Sequence, residues 1–135
     1  IDDLQYKKFG WEVHPFLETV DIGGVMFSHY FVTGVMGRPA NTASAILSKK
    51  HQSCVAGHLQ GRQVAYAIRA DGSQITTIIA GSFYSHEEKY LGAQGNKHWR
   101  GAIMLHEVSN GSFDEMFCSL HFLVDWYKRL LEKRK

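Results

Sequence analysis

Apolar and polar positions recur along this chain with a period that changes from segment to segment, and the changes predict its elements. Residues 16–22 and 25–32 are rich in Val, Ile and Phe and are separated by Gly23-Gly24. Two β-type runs across a pair of glycines predict a hairpin, because the tight turns that match strand twist need positive φ at their centre. Residues 63–70 and 74–80 alternate about Asp71-Gly72, and residues 99–108 and 112–122 flank Asn110-Gly111, which predicts two further hairpins. Residues 33–39 hold Gly34, Gly37 and Pro39 and read as a loop. Asn41 or Thr42 can then cap a helix running to Lys50. Ala43, Ile46 and Leu47 share one of its faces, and Lys49 and Lys50 complement the negative end of its dipole. Residues 53–56 form a short apolar strand that runs straight into Gly57-His58.

The two ends are more polar. Residues 1–11 predict a short helix leading into a strand, with Tyr6, Phe9 and Trp11 as apolar anchors. Residues 81–97 keep no steady period and read as a long loop. Residues 123–135 place Val124, Tyr127, Leu130 and Leu131 at helical spacing among Lys and Arg, the pattern of an amphipathic helix. Three hairpins and one strand–helix–strand unit make an α+β chain of mostly antiparallel sheet with few helices.

Composition narrows the class of function. A length of 135 residues suits one compact domain spanning 1–135, and the 44% apolar and 21% charged content is that of a folded globular protein. A net charge of +2 is too small to argue for general affinity to nucleic acid or anionic membranes, and no apolar run approaches the ~20 residues of a membrane-spanning helix. Cys54 and Cys118 sit in apolar runs without metal-ligand spacing, which favours buried free thiols in a reducing compartment, the cytoplasm, over a disulfide. The chain begins with Ile rather than Met, as a fragment or processed product would.

Eight histidines are the compositional feature that needs a reason. His29 ends one predicted strand and His58 follows another, each next to a turn where a rigid support can present a functional group. Imidazole is the commonest protein ligand for Zn, Mn, Fe or Ni. A strand-end histidine is equally well a hydrogen-bonded structural residue, and position along the chain does not choose between the two.

The local sequences carry the reading further. Phe27-Ser28-His29-Tyr30-Phe31, followed 29 residues after its histidine by Gly57-His58-Leu59-Gln60, resembles the fourth and fifth motifs of the calcineurin-like metallophosphoesterases, especially bacterial and phage-related members. Arg62 and the hairpin about Asp71-Gly72 fit the continuation of the fifth motif. Ala80-Gly81-Ser82-Phe83-Tyr84 resembles the strand and turn after it, and Trp99-Arg100-Gly101-Ala102 the opening of the closing strand pair. The resemblance covers residues 11–122. It implies the C-terminal half of the family's β-sandwich flanked by helices, and hydrolysis of phosphate mono- or diesters by a metal-activated water, with nucleic acid or nucleotide among the family's substrates. It makes His29 and His58 ligands of one divalent cation, Mn favoured over Fe, Zn or Ni. Gln60 stands where the family has a second histidine, for the other metal of a dinuclear site. Arg62, Tyr84 and His86 fall where the family meets substrate.

The family's Asp-x-His, Gly-Asp-x-x-Asp and Gly-Asn-His motifs do not occur in this sequence. A two-metal site needs the bridging carboxylate they supply. The resemblance therefore implies that an N-terminal half is missing, that this chain alone is inactive, and that its first partner is that segment; a homo-oligomer is the other option. A fold that has kept its shape and lost its site, acting as a non-catalytic interaction module, is the competing expectation. His14, His51, His98, His106 and His121 have no neighbour at ligand spacing and read as surface or structural residues.

Overall fold

The structure, a computed structural model, describes residues 4–133. Its larger sheet contains β1 (Val20–Ile22), β2 (Val25–Ser28), β3 (Cys54–Ala56), β4 (Gln63–Ile68) and β5 (Gln74–Ile79) in the order β1-β2-β3-β5-β4. A second sheet pairs β6 (Gly101–Ser109) with β7 (Ser112–Ser119). Helix α1 (Ala43–Lys50) joins β2 to β3, α2 (Gly92–Gly95) is a single turn between β5 and β6, and α3 (Leu120–Glu132) follows β7. The predicted hairpins β1–β2, β4–β5 and β6–β7 are antiparallel, whereas β2–β3 and β3–β5 are parallel. The chain is α+β with antiparallel pairing in the majority. Its parallel centre follows from the strand–helix–strand unit, because parallel neighbours need a long crossover between them.

Turn chemistry places each hairpin where the pattern predicts it. Gly23 and Gly24 both take positive φ, 61° and 85°, so Ile22 pairs directly with Val25. Asn110 and Gly111 do the same between Ser109 and Ser112. Thr42 caps α1, its hydroxyl accepting from the Ala45 N–H at 3.1 Å.

The larger sheet is covered on both faces. On one side α1 buries Ala43 and Ile46 against Phe31, Cys54, Ala56 and Ile79. On the other, Val25, Ile78 and Phe113 form a core with Phe27 and Val55 of the larger sheet and with Ile103 and Leu105 of the facing hairpin. The turns at Gly24 and Gly111 touch: the Gly111 N–H donates to the Gly23 carbonyl at 2.8 Å, and a Cβ on Gly24 would lie 2.5 Å from the Gly111 nitrogen. Only glycine fits there. Buried Ser53 ties the same corner, its hydroxyl donating to the Gly111 carbonyl and accepting from the Thr76 N–H.

Several boundaries differ from the sequence expectation. Residues 16–19 do not extend β1, because Glu18 donates to the Pro15 carbonyl and Leu17 is left-handed at φ 65°, which makes a turn. The strand expected over residues 25–32 stops at Ser28, and Val32 only bridges to Pro39. Helix α3 begins earlier than Leu123, at Leu120, because the Ser119 hydroxyl accepts from the Phe122 N–H and caps it; the apolar run there suits strand and helix alike. The loop over residues 81–97 contains α2 and a 3-10 turn, Lys89–Leu91. Near the start of the described residues there is only a 3-10 turn, Tyr6–Phe9, and Phe9 and Trp11 are exposed rather than anchors. Residues 1–3 and 134–135 of the predicted terminal helices lie outside the described residues.

Both cysteines are free, Cys54 buried and Cys118 half-buried. Burial pushes the Cys54 thiol up to about 11, so at neutral pH it is protonated and inert. Iodoacetamide is expected to modify Cys118 in the folded protein and to reach Cys54 only after unfolding; mass mapping at neutral pH checks this. Ser53→Ala should lower stability by about 1–3 kcal/mol in urea unfolding, since it leaves two buried backbone groups without a partner.

Candidate functional site

Parallel strands present their carboxyl ends on one edge of a sheet, and ligands of open α/β sheets bind there. On this edge β2 ends at Ser28, β3 at Ala56 and β5 at Ile79. The pairing continues one step past each strand: the Gly57 N–H donates to the His29 carbonyl at 3.0 Å, and the Ala80 N–H to the Ala56 carbonyl at 2.7 Å. His29 and His58 therefore emerge side by side. His29 Nε2 lies 3.2 Å from His58 Nδ1, with ring centroids 5.2 Å apart at 75°. Tyr30 packs 5.1 Å from the His58 ring and Phe16 5.3 Å from that of His29, while both imidazoles stay exposed.

The turn that presents His58 is made by the histidine itself and not by the glycine before it. His58 itself is left-handed, at φ 66°, and the positive-φ glycines do not include Gly57. A Cβ on Gly57 would meet only the His29 carbonyl, at an ordinary 3.6 Å. The strained residue is thus one of the candidate pair, and such a conformation persists where the surroundings over-determine it. The glycine this loop needs is Gly81, at φ 81°, where a Cβ would press on the Arg62 nitrogen at 3.1 Å and the Gln60 oxygen at 3.2 Å.

A separation of 3.2 Å suits two kinds of chemistry. One is an N–H···N hydrogen bond between neutral rings, which needs a proton on one of the facing nitrogens. The other is joint ligation of one cation, since two nitrogens each about 2.0–2.1 Å from a tetrahedral ion stand about 3.3 Å apart. Ligation requires both facing nitrogens to be free of protons, so acid opposes it. Among the described residues no three His, Cys, Asp or Glu side chains converge as a metal-holding group. The pair alone is an incomplete ligand set.

The remaining sequence-predicted residues have other contacts. The Gln60 amide nitrogen donates to the Tyr90 hydroxyl at 3.2 Å, which leaves its carbonyl oxygen as the group suited to a hard cation. The Arg62 guanidinium lies over the rings of Trp99 and Phe117, 4.6 and 4.4 Å from their centroids. It pins the end of the His58 loop to the second sheet rather than joining the histidine pair. Tyr84 and His86 are together, stacked at 4.6 Å, and His86 is paired with Glu88 at 2.8 Å.

Two residues read from sequence as merely structural lie within these constellations. The Tyr84 hydroxyl meets His98 Nε2 at 3.3 Å, under an Arg100 guanidinium 4.5 Å from the Tyr84 ring. His14, held between Glu12 and Glu18 at 3.5 and 3.7 Å, lines the same cavity as His29. Neither stands at a spacing that sequence could have flagged; the fold makes both neighbourhoods.

Arg62→Ala should cost about 0.5–1 kcal/mol for each of the two rings left uncovered and speed amide exchange at Leu59 and Gln60. Arg62→Lys should recover only part, because a planar guanidinium stacks on rings and an ammonium does not. Equal exchange in all three proteins would show that Arg62 does not hold the loop. Comparison with protein-family models, with curated proteins and with solved structures finds no match to this chain, so its function is read from the site itself.

Proposed function

We propose that this chain carries the histidine half of a divalent-metal phosphoesterase centre, in which His29 and His58 hold one cation and the Gln60 carbonyl oxygen faces a second. The observation that supports this reading most is the 3.2 Å pair of imidazole nitrogens at the carboxyl ends of adjacent parallel strands. Two sheets packed face to face, with α1 outside, agree with the C-terminal half of a metallophosphoesterase sandwich. Mn is the ion the resemblance favours, with Fe, Zn or Ni as the borderline metals that imidazole suits. When bound, such ions polarise the phosphoryl group and activate the attacking water. The bridging carboxylate and remaining ligands of such a centre are not among this chain's residues, and without them the chain does not turn over.

The exposed flanks of α3 favour a second reading, a non-catalytic interaction module. Trp126, Tyr127 and Leu131 are all about half exposed on this helix, which has no fully buried side chain among the described residues.

With the missing ligands supplied in a joined segment, paramagnetic Mn²⁺ is expected to broaden His29, His58 and Gly57 of the isotope-labelled chain first, and His58→Ala should abolish that selectivity. In the chain joined to its upstream segment, His58→Ala should lower phosphodiester hydrolysis by more than the roughly 10–100-fold that outer-shell changes cost. Unselective broadening together with unchanged turnover would leave the interaction module as the better account.

A further inference from the structure

A cavity of about 430 Å³ opens directly beside His29, within the size range of ligand sites. Its floor is the carboxyl-end edge of the sheet, with Phe27, Val55 and Ala80, and its other wall is the turn carrying Phe16, Leu17 and Val20. The wall has a defined shape. Glu18 donates its N–H to the Pro15 carbonyl at 3.0 Å, and Leu17 is held left-handed at φ 65°. A β-substituted side chain of this kind adopts that conformation only against a cost of about 1–2 kcal/mol. Phe16 is 73% exposed overall yet keeps its ring on His29 and Tyr30, so the turn bridges from the cavity to the histidine pair.

The charges around the cavity decide what it can take. Its titratable lining groups are His14, Glu18 and His29, and among the described residues no Lys or Arg borders it. A polynucleotide is tracked by a basic groove that follows its phosphates, and a second phosphate entering here would meet the Glu18 carboxylate. Arg62, the cation nearest in sequence to His58, is occupied by Trp99 and Phe117. An uncharged apolar group meets no such opposition, because burying it removes apolar surface from water.

We propose that this cavity is the subsite for the alcohol portion of the phosphate ester, and that this alcohol is an uncharged aryl or alkyl group rather than a nucleic acid chain. The proposal rests on the metal-centre reading above, since His29 is shared by cavity and cation site. The phosphoryl group sits at the histidine pair and the apolar alcohol beside Phe16 and Val55.

The test uses the isotope-labelled chain with separate probes: benzyl alcohol, inorganic phosphate, a short single-stranded oligonucleotide and Mn²⁺. Benzyl alcohol is expected to shift the amide signals of Ala56, Gly57 and Ala80 with a millimolar Kd, and inorganic phosphate and the oligonucleotide are not. Phe16→Ala, at an exposed position that leaves the core intact, should weaken the alcohol about twofold to tenfold, the range an aromatic contact carries. Glu18→Gln should leave the alcohol Kd unchanged, because the group bound is neutral. Mn²⁺ broadening at His29 and His58 without any alcohol shift would overturn the apolar subsite and leave the metal centre standing. Alcohol shifts without selective Mn²⁺ broadening, the latter measured with the missing ligands supplied in a joined segment, would overturn the metal centre and, with it, the subsite's place in an ester. Shifts at Ala56 and Ala80 from the oligonucleotide would overturn the choice of substrate class.

Discussion

Backbone pairing between β2 and β3 sets everything at the candidate site. Ser28 faces Ala56 in parallel register, and the next step of the ladder, from the Gly57 N–H to the His29 carbonyl, delivers the two histidines together. Buried backbone groups must be paired, and a register slip of one residue moves a strand by about 3.3 Å and turns its side chains to the opposite face. Such a slip would carry the Val25 and Cys54 side chains out of their separate cores and part the imidazoles by a distance comparable to their present separation. The site's geometry is therefore a consequence of the hydrophobic pattern on both faces of the sheet. It does not depend on any strong interaction between the histidines themselves.

That register is held from a distance by small polar groups and glycines. Ser53, just before β3, reaches Thr76 of β5 and the Gly111 turn of the second sheet, and Gly24 lets that turn come into contact with β1–β2. Apolar burial supplies the gross attraction between the layers, but it is non-directional. Hydrogen bonds at a buried corner exclude sliding, because any shift leaves unsatisfied groups behind. At the opposite edge the Arg62 guanidinium over Trp99 and Phe117 has a comparable role for the loop carrying His58 and Gln60. Gly81 permits that loop to lie against the chain after β5. The two ends of the sandwich are thus fastened by different chemistry, one by backbone polar groups and the other by stacking.

The electrostatic character of the site edge is divided. The histidine pair is exposed and suited to a cation, the adjoining cavity is apolar with one carboxylate, and the cationic and aromatic groups of Tyr84, His98 and Arg100 form a cluster of their own. A phosphate ester has the same division, an anionic centre attached to a separate organic group. This correspondence is what joins the metal-centre reading to the apolar subsite.

Local signals in the sequence determined the hairpins at Gly23-Gly24, Asp71-Gly72 and Asn110-Gly111, a cap for α1 at Asn41 or Thr42, and the α+β class, because turn geometry and capping are decided by neighbouring residues. The sequence also singled out His29 and His58 as residues that end strands. Only the tertiary structure decided that those two rings meet at 3.2 Å, that His58 rather than Gly57 takes the left-handed backbone, and that Arg62 faces aromatic rings instead of the site. It also decided that Phe16 and Leu17 leave β1 to wall a cavity, where their apolar run reads as strand. The reason is one of range. Periodicity and turn residues act over a few neighbours along the chain, whereas which strands become adjacent, and in which register, is settled by the burial of several separate segments at once.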